Sequence, residues 1–284
     1  MALFLAGAYA QQSPKADPPQ TWTEHWFEHN QNLRRVFFDN DVAVYHDPDV
    51  DPSVTWMNQY MGDVWRYTKR IYGDFGGDGR LYVVMHTGKY SGGHPSTAFD
   101  ASHDYRNVID CGPGPWLTSN YGDLAIPTHE AGHIVELGSK GVHGSPAFGL
   151  WGDSKWAEIY IYDVYRGLNR PNDAQQWYNE KMGASDNFPR ANTHWFRDWF
   201  YPIYSQHGET QVLNRYFNLL SQHFPKNGNN YARDMNWGEF VHFWSGAAGT
   251  NLKQQATTAF GWPNDWENQF QQARRDFPGV TYSN

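Results

Sequence analysis

The apolar and polar positions fall into two regimes along the chain. In the first, short apolar runs are bounded by turn residues. "VAVYHD" (42–47), "RLYVVMH" (80–86) and "YRNVIDCG" (105–112) read as strands, the second as the most deeply buried. "VTWMNQYMGDVWRYTKRIYGDF" (54–75) repeats its apolar positions at helical spacing and ends at glycines. In the second regime helical spacing dominates. "PTHEAGHIVELG" (127–138) is a helix stopped by Gly138, and "KWAEIYIYDVYRGL" (155–168) a second one, with Asp153 or Ser154 placed to cap it. From about residue 172 nearly everything reads as helix and loop. Strands first and helices later predict an α+β fold with a cleft between a mixed half (23–170) and a helical half (171–284).

Before the first strand, "MALFLAGAYA" has the apolar run and A-x-A end of a secretory signal peptide over residues 1–10, without the usual basic start. Residues 11–22 read as a flexible leader. The expectation is an exported protein, secreted or periplasmic. No other stretch approaches the ~18 apolar residues of a membrane span. The single cysteine, Cys111, excludes an intrachain disulfide and reads as a small buried residue. A net charge of −8 argues against nucleic acid and anionic membranes as partners. The 14 Trp, 18 Tyr and 17 Phe supply either a core or aromatic platforms in a substrate groove.

The chemistry lies in His129-Glu130-x-x-His133. Residues four apart on a helix share a face, so both histidines can aim at one ion while Glu130 stands beside it as a general base. Two histidines do not hold zinc alone. Four residues compete for the third position. Glu136 lies about a turn beyond the ion on the same helix. His143 follows ten residues after His133, Asp153 is accounted for as a helix cap, and Glu158 stands 25 residues on, among apolar neighbours where a carboxylate wants a cation. Glu158 is the expected ligand and His143 its rival.

His129-Glu130-x-x-His133 with Glu158 downstream resembles the gluzincins, the thermolysin-like zinc metallopeptidases. The resemblance implies a zincin-like mixed sheet, zinc held by His129, His133 and Glu158, a water in the fourth position, and Glu130 as base and proton shuttle. It also implies an edge strand that binds an extended peptide, with helices forming the opposite wall. The match covers residues 127–165; "EFVHFWSGAAGTNLKQQATTAFGW" (239–262) is loosely similar to a helix pair of secreted bacterial members. Many gluzincins carry an aspartate four residues after the glutamate ligand. This chain has Tyr162 there and Asp163 next, so Asp163 is the carboxylate expected to orient a histidine ligand.

A donor to the tetrahedral oxyanion is expected from "THWFRDWFYPIY" (193–204), with His194 ahead of Tyr201 and Tyr204. The loop 88–107 leads to the presumed edge strand, and His94, His103 and Asn107 are the expected substrate contacts. His25 and His29, with no third ligand nearby in sequence, read as surface residues. The function these residues support is a secreted zinc metallohydrolase, a peptidase acting on a peptide, protein or glycoprotein. Two other readings compete. One is a zinc enzyme for glycoproteins or polysaccharides, which for glycosidic bonds would want paired carboxylates. The other is a non-catalytic, zinc-containing carbohydrate-binding protein, which would have no use for Glu130.

Overall fold

A computed structural model describes residues 16–284. The expected signal peptide and the start of the leader lie outside these residues. The elements in order are β1 (Thr21–Thr23), β2 (Asn32–Phe38), β3 (Val42–His46), α1 (Trp56–Tyr72), β4 (Leu81–Met85), β5 (Gly92–Ser96), β6 (Asn107–Gly112) and α2 (Tyr121–Gly138). There follow α3 (Phe148–Trp151), α4 (Lys155–Gly167), α5 (Pro171–Gly183), α6 (Tyr201–Gln206), α7 (Thr210–His223), a small hairpin of β7 (Lys226–Asn227) and β8 (Asn230–Tyr231), α8 (Trp237–Ala248), α9 (Lys253–Phe260) and α10 (Asn264–Asp276). The fold is therefore α+β, a six-stranded mixed sheet followed by a helical part.

The sheet order is β1-β2-β3-β4-β6-β5. β3, β4 and β6 run parallel at its centre, β1–β3 are antiparallel, and β5 returns antiparallel along β6 as the edge. The three central strands are buried on both faces, which is why they read as largely apolar runs. Alternation then sorts their side chains. Val42, Val44, Val83, Met85, Ile109 and Cys111 join the helices in one core, while Ala43, Tyr45, Tyr82, Val84 and Val108 meet Trp22, Trp26 and Leu33 on the other side. The first core continues through the helical part to Val280, so it crosses residue 170 without a break.

Two expectations change at the sheet. Residues 16–22 are tied down rather than flexible. Arg80 donates to the Ala16 carbonyl at 2.8 Å, Tyr45 to that of Pro19 at 2.7 Å, and Thr21 pairs with Arg34. The edge strand is β5, within the glycine-rich loop, and residues 107–112 lie one strand further in. Among the described residues no helix is long and apolar enough to cross a membrane. The tryptophans build the interior: eleven are buried and Trp56, Trp262 and Trp266 half-buried, so they form no exposed platform.

α2 starts at Asn120, whose side chain accepts from the backbone N–H of Gly122 and Asp123. It is buried nearly all round because it lies between the β5–β6 edge on one side and α1 and α4 on the other. Gly132 lets α4 come close. A β-carbon there would stand 2.8 Å from the Tyr160 ring, and Trp156 donates to the Gly132 carbonyl at 3.0 Å. This contact brings the turn before α4 over the histidine face of α2.

Candidate metal centre

His129 and His133 lie one turn apart on α2, with their Nε2 atoms 2.9 Å from each other. Asp153, in the turn between α3 and α4, puts carboxylate oxygens 3.3 Å from His133 Nε2 and 3.7 Å from His129 Nε2. These three residues form a group that could hold a metal ion. Donors of a tetrahedral zinc, bonded at 2.0–2.2 Å, stand roughly 3.3 Å apart, and the observed separations bracket that value.

Without a metal the two imidazoles are held in different protonation states, and His133 must give up a proton before it can ligate. Burial, then the neighbouring His133, lowers His129 to about 4, so its imidazole is neutral with a lone pair available. Burial would also lower His133, but its Nδ1–H donates to Glu136 and the carboxylate holds it up at about 9. Glu136 is 2% exposed and also accepts from Trp151 Nε1 at 2.7 Å and Ser145 Oγ at 3.0 Å. It therefore fixes the His133 ring with Nε2 turned to the centre.

Glu130 stands between this group and the sheet edge. A β-carbon on Gly93 would lie 2.5 Å from its Oε1, so this carboxyl fits only because β5 carries a glycine there. Burial raises Glu130 to about 8. A cavity of about 380 Å³ opens beside it, lined by Gly92 and Gly93 of β5, His129 and Glu130 of α2, Asp153, and the apolar Ile126, Ile161 and Trp177.

Several expected site residues stand elsewhere. Glu158 lies in the first turn of α4 on the side facing α5, with its carboxylate 3.9 Å from Lys181 Nζ, and it does not join the histidine group. Asp153 takes that place instead. Its capping role falls away as well, since Ser154 is the cap residue and no side-chain cap bond forms. His143 meets Asn230 at 2.9 Å and stacks on Phe99. Asp163 is fully buried and accepts from Tyr67 (2.9 Å), Tyr204 (2.9 Å) and Thr210 (2.6 Å), so neither it nor the Tyr204 hydroxyl is directed to the histidines; Glu136 is the orienting carboxylate. His194 donates to the Ala184 carbonyl at 2.7 Å, outside the cavity lining. Asn107 is buried and braces the β5–β6 loop through the Ala98 N–H at 3.1 Å. His94 alternates with Gly93 and so faces away from Glu130, where it meets His103 at 3.0 Å.

No family profile matches this sequence, and no relative of curated function matches it. Solved structures do resemble it in shape. A functionally unknown conserved protein from Bacillus anthracis str. Ames aligns over 86% of this chain and 51% of its own length, with a TM-score of 0.54 and 12% identity. An M1 zinc metallopeptidase from Deinococcus radiodurans aligns over 89% of this chain and 50% of its own, with a TM-score of 0.45 and 8% identity. The chain thus spans about half the length of each. The first similarity is one of fold, and the second is too distant in shape to add to it.

Proposed function

We propose that the chain is a zinc-dependent hydrolase that cleaves amide bonds in an extended peptide. His129, His133 and Asp153 are the residues that would hold the ion. The observation that carries this reading is the position of Glu130, buried between that trio and the glycines of an edge strand, in a cavity with one apolar wall. When bound, zinc supplies a Lewis acid that polarises a carbonyl and makes water nucleophilic near neutral pH.

The chain's own residues do the rest. Glu130 accepts the proton of the attacking water and returns it to the leaving nitrogen. Burial raises its pKa in the metal-free protein, and a cation bound beside it would favour the ionised form that accepts a proton. Gly92 and Gly93 allow a substrate backbone to lie close along β5, where an extended chain can add as a further strand. Ile126, Ile161 and Trp177 offer a side chain an apolar surface.

The test compares the zinc-loaded parent with Glu130→Gln on a quenched-fluorescent peptide library, with zinc content measured in both. Hydrolysis by the parent, reduced about 10²–10⁴-fold in the variant at equal zinc, is expected. A folded, zinc-loaded parent that cleaves no peptide overturns the proposal.

A further inference from the structure

A second group of ligating side chains lies on the opposite face of the sheet from α2. Glu24, His29, His86 and Asp110 bring one ligand atom each to within 4.8 Å of one another, and all four residues are more than nine-tenths buried. His86 follows the end of β4 and Asp110 lies in β6, each on the face turned away from the helices. Glu24 and His29 belong to the segment between β1 and β2, which folds over them.

The side chains are held from behind. His86 Nδ1 bonds Asp47 at 2.8 Å, Glu24 Oε2 accepts from the Gln31 N–H at 2.9 Å, and Asp110 Oδ2 accepts from Trp26 Nε1 at 2.8 Å. What remains converges. His86 Nε2 stands 2.9 Å from Glu24 Oε1 and 3.0 Å from Asp110 Oδ1. His29 Nδ1 hydrogen-bonds the same Asp110 Oδ2 at 2.9 Å and stands 3.6 Å from Glu24 Oε1. Despite these distances, neither His86 Nε2 nor Glu24 Oε1 makes a hydrogen bond. His86 Nε2 and Glu24 Oε1 thus pair by charge without a well-directed hydrogen bond, and both belong to the four ligand atoms that lie within 4.8 Å of one another.

We propose that Glu24, His29, His86 and Asp110 bind a divalent cation of the zinc class, a second and structural metal site that fastens the segment after β1 to the sheet. Two imidazoles and two carboxylates suit zinc or cobalt(II) rather than calcium or magnesium, which prefer shells of oxygen. The separations of 2.9–3.6 Å bracket the ~3.3 Å edge of a zinc tetrahedron. Four protein ligands close the shell, as in structural sites. The charges also match. Glu24 and Asp110 bring two negative charges to a divalent ion, and Lys89, shared between Asp47 and Asp49, lies beside the outer carboxylate. Asp47 behind His86 is the outer carboxylate that fixes a metal-binding imidazole.

The experiment starts from His129→Ala/His133→Ala, which removes the histidines of the first centre and makes the result independent of the proposed hydrolase. The purified double variant, folded by circular dichroism, is equilibrated with zinc or cobalt(II), dialysed, and analysed for metal by mass spectrometry. One equivalent is expected, with the intense visible absorption of tetrahedral cobalt(II). Adding the near-isosteric Glu24→Gln weakens zinc binding by about 100-fold or more and removes that absorption. A folded double variant that binds neither metal overturns the proposal and leaves the cluster as an ion-pair network. An equivalent that survives Glu24→Gln with unchanged affinity and spectrum overturns it too.

Discussion

Replacing Glu136 by Gln probes how the first centre is held, without touching a ligand. The carboxylate takes three donors, from His133, Trp151 and Ser145, and an ionised carboxylate can accept them all. A glutamine has one oxygen and two N–H groups. If the oxygen turns to His133, the amide N–H groups meet the Trp151 and Ser145 donors, and a buried indole N–H without an acceptor costs about 1–3 kcal/mol. If the amide turns the other way, His133 Nδ1 must give up its proton. The proton then moves to Nε2, the atom that faces His129 and Asp153. Either arrangement should weaken zinc by the 10–100-fold that outer-shell partners contribute, about 1.4–2.7 kcal/mol. Competition with a chromophoric chelator at pH 7.5 measures it. A folded Glu136→Gln protein whose zinc affinity lies within about twofold of the parent refutes the reasoning. The metal-free protein gives a second reading. His133 is raised from 6.5 to about 9, so its ion pair stabilises the fold fully below about pH 6.5 and is lost as pH rises through 9. That window carries about 3 kcal/mol. Glu136→Gln should flatten this part of the stability profile between pH 6 and 10.

The competing third ligands separate cleanly. Asp153→Asn should release zinc in dialysis against a mild chelator, whereas Glu158→Gln should keep it, because Glu158 faces Lys181. Gly93→Ala puts a methyl group into the space of the Glu130 carboxyl. It should lower peptide hydrolysis more than about tenfold while zinc content and melting temperature stay close to the parent's, as kinetic and calorimetric measurements will show. Asp163 is raised to about 6 because burial outweighs its three hydroxyl donors. Its ionisation therefore costs stability as pH rises from 3.8 through 6, about 3 kcal/mol in all. Asp163→Asn should remove that fall in denaturant titrations at pH 4 and pH 7, and a parent more stable at pH 7 relative to the variant would contradict it.

The central strands and the α2 and α4 helices were legible because their signal is local. Apolar runs and helical spacing survive in the sequence whatever packs against them. β5 was hidden because "GGHPS" has two glycines and a proline, so only its pairing with β6 makes it a strand. Asp153 was hidden by a bland alternative: an aspartate just before a helix reads as a cap, and only the close approach at Gly132 shows where the turn goes. Glu158 misled for a related reason, since apolar neighbours announce burial without naming the partner, which is the ammonium of Lys181. His29 read as a surface residue and is buried, while His25 is exposed. A signal for the second cluster did exist. Asp110 interrupts one mainly apolar run and His86 ends another, and a buried polar residue at such a place must meet another polar group.

The Asp153 side chain is 76% exposed, whereas those of His129 and His133 are 22% and 5% exposed. An ion held by this trio could leave through rotation of one surface carboxylate, with no element of the fold displaced. Exchange there should need only the breaking of the metal–ligand bonds, whereas an ion among Glu24, His29, His86 and Asp110 would also wait for the segment after β1 to open. Brief treatment with a chelator should then strip the outer centre and spare the inner one, so the two would be told apart by their rates before either is mutated.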